Sequence, residues 1–79
     1  MMNSEGNLKK NSEVLVFFAD GFEEIEAIGA VDILRRGGLD VATVSITDKK
    51  EVVGAHGVTI VPETVIDEVT GAKPQCIVL

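Results

Sequence analysis

Four carboxylates follow the longest apolar run of the sequence, residues 14–19: Asp20, Glu23, Glu24 and Glu26. If the run is a β-strand, these side chains lie near its carboxyl end, where open α/β sheets bind their ligands. Acidic side chains in the first turn of a helix also complement the helix dipole, and this role alone accounts for Glu23 and Glu24. We treat Asp20, Gly21 and Glu23 as candidates for the lining of a substrate pocket.

Glu26 has the clearest potential for chemistry among these residues. Between residues 25 and 34 the only charged side chains are Glu26 and Asp32, so a helix here has no broad polar face. We expect Glu26 to be partly buried, which would favour its protonated form and let it donate a hydrogen bond to an anion such as a thiolate. Gly29 costs a helix about 1 kcal/mol relative to Ala, which predicts close packing against a partner helix or against the domain's own sheet.

Cysteine and histidine, the other side chains that often carry chemistry, occur once each. Cys76 begins an apolar run, and we interpret it as an inert core thiol. His56 stands in a Gly-Ala-His-Gly segment that is typical of a turn, so we interpret it as structural or solvent-facing. We find no phosphate-binding glycine motif and no metal-ligand spacing, and we therefore predict neither a cofactor nor a metal.

The composition limits the classes of partner. Thirteen acidic and seven basic residues give a net charge of -6, which is the wrong sign for a nucleic-acid backbone or an anionic membrane surface. The longest apolar run is far shorter than the about 20 residues that a transmembrane helix needs, and the first dozen residues lack a signal-peptide core. A single cysteine forms no internal disulfide, which fits a reducing compartment. We therefore expect a cytoplasmic protein whose partners are small molecules or other proteins.

The apolar pattern predicts a flexible tail over residues 1–12 and one α/β domain over residues 13–79. The predicted elements are a strand over 14–18, a helix over 22–36, a strand over 41–46, a hairpin from 52–53 and 58–61, a short helix over 63–69 and a strand over 76–79. Asp20, with Glu23 three positions later, is the predicted N-cap of the first helix, and Gly37 and Gly38 end it. Strand, helix and strand in this order predict a right-handed βαβ unit.

A doubly wound sheet needs further strands and helices to cover the last predicted strand. We therefore expect the sheet to be incomplete in this chain and Leu79 to be a truncation point.

The sequence resembles the ThiJ/PfpI family, whose members include deglycase-like proteins. Five blocks carry the likeness: 14–26 (VLVFFADGFEEIE), 31–38 (VDILRRGG), 44–46 (VSI), 54–58 (GAHGV) and 76–79 (CIVL). The resemblance implies a flavodoxin-like (Rossmann-like) domain, a homodimer when complete, with a reactive cysteine on a strand-to-helix elbow beyond residue 79. It also implies that Glu26 matches the family glutamate that hydrogen-bonds this cysteine. Because the elbow is absent from this sequence, we expect no cysteine-based catalysis by residues 1–79 alone.

The resemblance implies a cysteine-dependent enzyme that acts on small reactive carbonyls or glycated proteins, as a glyoxalase or deglycase does, without a cofactor. One alternative is an oxidative-stress sensor or chaperone whose cysteine is oxidised to sulfinic acid. An intracellular peptidase or amidase is another. A phosphoacceptor receiver domain with Asp20 at a metal site fits poorly, because such a site needs acidic residues after two strands and residues 76–79 supply none.

Overall fold

The computed structural model describes residues 12–74 and 76–78. Its elements, in chain order, are β1 (Val14–Phe18), α1 (Glu24–Arg36), β2 (Val41–Ser45), β3 (Val52–Val53), β4 (Thr59–Ile60), β5 (Thr64–Val65), a 3₁₀ helix (Ile66–Val69) and β6 (Cys76–Val78). The predicted tail lies outside the described residues apart from Ser12, which is buried. The short helix predicted over 63–69 is in part a strand, because β5 pairs with β2 before the 3₁₀ turn begins.

Strand β1 is an inner strand of a four-stranded parallel sheet with the order β5-β2-β1-β6. It pairs with β2 along its whole length and with β6 over three residues. Strands β3 and β4 form a separate antiparallel hairpin, as predicted. The sequence-adjacent strands β1 and β2 are joined by α1, which confirms the βαβ unit.

Alternate side chains of β1 enter two different cores. Val16 and Phe18 pack with Val31 of α1 on one face of the sheet. Leu15 belongs to the core on the other face, together with Val69 of the 3₁₀ helix. A strand covered on both faces requires an apolar residue at every position, and this explains the continuous run in β1.

Helix α1 begins without a side-chain cap. Glu23 occupies the N-cap position and makes no cap hydrogen bond. The prediction that Asp20 caps the helix was wrong, since its Oδ1 accepts a hydrogen bond from the backbone N–H of Val53 at 3.0 Å. The predicted end is confirmed: α1 stops at Arg36, and Gly38 takes a φ of +90°, which favours glycine.

Candidate active site

A cavity of about 430 Å³ lies at the carboxyl end of β1. Its polar lining consists of the residues that were singled out in the sequence: Asp20, Gly21, Glu23 and Glu26. Its apolar walls come from β1, the loop before α1, α1 itself and β6, and include Phe17, Phe22, Ala30 and Val78. The fold thus brings the predicted pocket residues together at the end of the sheet where ligands bind in this class of domain.

Glu26 lies in the first turn of α1 and is exposed, so the expected partial burial was wrong. The inward face of α1 repeats at positions 24, 27, 31 and 34, as in other amphipathic helices. Glu26 comes two residues after Glu24, which turns it about 200° away from that face. Within the described part of the chain its carboxylate has no hydrogen-bond partner, and it borders the cavity.

Glu24 is the buried carboxylate of this segment, and sequence reasoning missed it. The residue is 8% exposed. Its Oε2 accepts hydrogen bonds from the backbone N–H of His56 at 2.7 Å and of Val58 at 3.3 Å. The other oxygen, Oε1, lies 2.9 Å from Nδ1 of the His56 ring. The helical spacing to Ala27 and Val31 is the signal that could have identified it as an inward-facing residue.

Glu24 and His56 change each other's protonation. Burial alone would raise the pKa of Glu24, but the hydrogen bonds from the His56 ring and from backbone N–H groups outweigh it and lower the pKa to about 2. The same hydrogen bond, together with the charge of Glu24, raises the pKa of His56 above its usual 6.5. The pair is therefore an ionised carboxylate beside a ring that holds its proton more strongly than usual.

Glu24 reaches the hairpin turn because Gly54 has no side chain. A β-carbon added at Gly54 would lie 2.6 Å from Cδ and 2.8 Å from Cγ of Glu24. The turn backbone therefore closes directly over the carboxylate, and the N–H of Gly54 bonds the carbonyl of Val58 at 2.8 Å. His56 lies in this turn with 74% of its side chain exposed, which agrees with its interpretation as a solvent-facing turn residue.

The rim of the cavity consists of the loop over residues 20–23 and of Glu26. The hairpin is also hydrogen-bonded to this loop. Gly21 N–H donates to the carbonyl of Val53 at 2.7 Å, and Ala55 N–H donates to the carbonyl of Phe22 at 2.8 Å. Together with the hydrogen bond from Val53 N–H to Asp20, these bonds hold both ends of the loop over residues 20–23 against the hairpin. Asp20, predicted as a pocket residue, therefore also holds the hairpin.

One group of three potential metal ligands occurs among the described residues: Glu23, Glu24 and His56, with ligand atoms within 4.8 Å of one another. Both oxygens of Glu24 already have N–H partners. The group also lies at the positive end of the α1 dipole, which disfavours a cation. We assign no metal to it.

Cys76 lies far from the four carboxylates Asp20, Glu23, Glu24 and Glu26. It pairs with Val14 at the amino end of the sheet, whereas Asp20 follows six residues later, roughly 15–20 Å away at the rise of an extended chain. The interpretation as a core thiol was wrong, because Cys76 is exposed. The physical reason is its place on β6, which is an edge strand of the described sheet.

Comparison with known proteins identifies the family. The model of the DJ-1/PfpI family matches residues 12–79. The chain belongs to the DJ-1/PfpI family. This confirms the ThiJ/PfpI resemblance read from the sequence. No helix in the described part of this family member is long and apolar enough to cross a membrane.

Curated relatives and solved structures agree with the assignment. Protein DJ-1 homolog B of Arabidopsis thaliana is 36% identical over 67 residues, which are 85% of this chain and 15% of the plant protein. Protein dj-1beta of Drosophila melanogaster is 35% identical over 69 residues, which are 87% of this chain and 37% of the fly protein.

Two of the similar solved structures are a cysteine-to-alanine mutant of a DJ-1 superfamily protein from Salmonella typhimurium and the oxidized DJ-1 of Toxoplasma gondii. Each is 36% identical, with a TM-score of 0.80, over 84% of this chain and 36% of the other. The fold is therefore that of the flavodoxin-like DJ-1 superfamily. The chain spans between 15% and 37% of the length of these four proteins.

Proposed function

We propose that this chain forms the amino-terminal part of a cysteine-dependent site that acts on small reactive carbonyls or on glycated protein adducts. In this site the carboxyl group of Glu26 hydrogen-bonds a cysteine supplied by a later part of the domain. The observation that carries the proposal is the place of Glu26, which borders the cavity with no partner among the described residues. A thiolate is the nucleophilic form of cysteine. Once the sulfur lies beside Glu26 the two acidic groups share one proton, because like charges in close contact do not both ionise, and the hydrogen bond from the carboxyl group then stabilises the thiolate.

The remaining rim residues suit a role in binding rather than in proton transfer. One oxygen of Asp20 is engaged by the N–H of Val53, and Gly21 is held by the carbonyl of the same residue. Apolar walls and a volume of about 430 Å³ fit a small organic molecule. Glu23 also lines the cavity and makes no cap hydrogen bond. We assign Glu26 rather than Glu23 to the reacting sulfur because Glu26 matches the family glutamate.

The test uses a protein in which residues 1–79 continue into the cysteine-bearing part of a family domain. We expect Glu26→Gln to lower the turnover of methylglyoxal about 100-fold, because a carboxamide cannot share a proton with the sulfur. Asp32→Asn is the matched control, since Asp32 is an exposed acid of the same helix that pairs with Arg36. Equal turnover in the two variants would rule out the role of Glu26.

A redox sensor of the same family is the second candidate, and the solved oxidized form of Toxoplasma gondii DJ-1 favours it. In an enzyme the cysteine turns over methylglyoxal, whereas in a sensor it is oxidised by peroxide. Mass spectrometry after mild peroxide treatment, set beside methylglyoxal consumption, separates them. Ready oxidation to sulfinic acid without turnover supports the sensor, whereas turnover supports the enzyme.

We expect residues 1–79 alone to show no thiol-dependent turnover of methylglyoxal, that is, no conversion beyond the one equivalent that the exposed thiol of Cys76 can bind. Cys76 lies at the end of the sheet opposite to Asp20, and Val78, two residues later on β6, is the part of that strand that borders the cavity. Cys76→Ser should therefore leave the turnover rate unchanged, at the rate at which methylglyoxal reacts without protein. A turnover rate that falls on this substitution would show that Cys76 is itself a catalytic nucleophile.

A further inference from the structure

We infer that Glu24 is a positioning residue of the reactive site: it holds the hairpin turn, residues 54–58, against the first turn of α1 and thereby fixes the direction of Glu26. The inference rests on the proposed function for what Glu26 does. The restraint itself is a property of the described residues and is tested separately.

Glu24 connects two parts of the chain that are distant in sequence. Its carboxylate joins the first turn of α1 to His56 and Val58, more than thirty residues away. It does so from a largely buried position, in the space left open at Gly54. A buried carboxylate whose oxygens are met by N–H donors resists displacement, since separating them leaves polar groups unpaired.

Among the described residues, α1 has no side-chain cap at its first turn. Its N-cap residue, Glu23, makes no side-chain cap hydrogen bond. Phe22 and Ala27 pack against the core below this turn. The hydrogen bonds from outside the helix come from the hairpin, through Glu24 and through the backbone bonds of Gly21 and Ala55. The first turn of a helix carries unpaired N–H groups and opens more easily than its middle.

The first turn of α1 lies between the hairpin and the cavity. Glu24 and Glu26 lie on nearly opposite sides of the same turn, so that one faces the hairpin and the other borders the cavity. If the turn opens, Glu26 loses its fixed place. A shift of about 1 Å in a reacting group is enough to lower a rate about 100-fold. Glu24 therefore acts on the proposed reaction through Glu26, without contact with the substrate.

Amide hydrogen exchange on the 79-residue chain tests the restraint without any cysteine chemistry. We expect Glu24→Ala to speed exchange about tenfold or more at the N–H groups of Gly21, Ala55 and Ala27, which bond Val53, Phe22 and Glu23. The N–H of Gly38 at the far end of α1, bonded to Arg35, should keep its protection. Asp32→Ala is the control and should leave all four amides unchanged.

Unchanged exchange at the first three amides would overturn the inference. If Glu24→Ala unfolds the whole chain, the isosteric Glu24→Gln decides. It keeps one carbonyl oxygen as an acceptor, so we expect a smaller increase at the same amides with Gly38 still protected. Equal loss at all amides in Glu24→Gln would mean that Glu24 supports the fold generally and positions nothing.

The consequence for Glu26 is read in the cysteine-bearing protein. We expect Glu24→Gln to lower kcat with little change in KM and to move the titration of the thiol in the same direction as Glu26→Gln. A thiol that responds to Glu26→Gln but not to Glu24→Gln would contradict the inference while leaving the proposed function intact. A thiol that responds to neither would contradict the proposed function alone, provided that the exchange result holds.

Discussion

Gly54→Ala is expected to lower the free energy of unfolding by about 1–3 kcal/mol, although it adds a single methyl group, because Gly54 is the buried residue of its turn. The added carbon would lie 2.6 Å from Cδ of Glu24 and closer still to Oε2. The turn must then move away from the carboxylate, which weakens the hydrogen bonds from His56 and Val58. Urea denaturation of the wild type and the variant measures the loss.

Gly29→Ala is the matched control, because it makes the same chemical change at a helical glycine where, apart from the adjoining backbone of α1, no described atom lies within 4 Å of the added carbon. The close packing against the domain's own sheet that Gly29 suggested is thus absent from the described residues. We expect this variant to be more stable by about 1 kcal/mol, the difference in helix propensity. A Gly54→Ala variant that is as stable as the wild type, or more stable, would show that Glu24 and the turn do not pack as described.

The contribution of Glu24 and His56 to the free energy of unfolding should decrease at low pH and at high pH. The pKa of Glu24 is lowered from 4.5 to about 2 in the folded state, so its contribution is complete above about pH 4.5 and is lost as the pH falls toward 2. The pKa of His56 is raised above 6.5, so its contribution is complete below pH 6.5 and is lost as the pH rises through the folded-state value. The two contributions are therefore largest together between these limits.

The measurement is the difference in Tm between the wild type and Glu24→Gln across the pH range. We expect the wild type to melt on the order of 5 °C higher between the two limits and the difference to shrink on both sides. His56→Ala should remove the alkaline limb and keep the acid limb, because its backbone N–H still bonds Glu24. A Tm difference that does not vary with pH would contradict this description of the pair.

Local sequence pattern predicted the order of the elements well, since each depends on neighbouring residues. The unbroken apolar run of β1 requires cover on both faces, and the glycines after Arg36 end α1. The errors fall where distant residues decide. The N–H of Val53 takes Asp20 away from the cap position, and β2 draws residues 64–65 into the sheet.

A cavity lies where the sequence predicted pocket residues, but the burial of the neighbouring glutamates differs from the prediction. The scarcity of charged residues between positions 25 and 34 led to the prediction that Glu26 is buried. The helical spacing to Ala27 and Val31 instead places Glu24 on the inward face. Nothing within residues 20–26 reveals that a turn more than thirty residues away offers N–H donors to one of the glutamates. Only the absence of a side chain at Gly54 lets that turn approach, and a sequence shows this glycine without showing what it faces.

Titration of the cysteine thiol by its ultraviolet absorbance tests most directly whether Glu26 tunes a nucleophile at this cavity. The protein is again residues 1–79 continued into the cysteine-bearing part of a family domain. We predict a thiol pKa below the ordinary value of about 8.5 in the wild type and a change of about one unit or more in Glu26→Gln. Asp32→Asn should titrate as the wild type does. An identical thiol titration in all three proteins would contradict the assignment of Glu26.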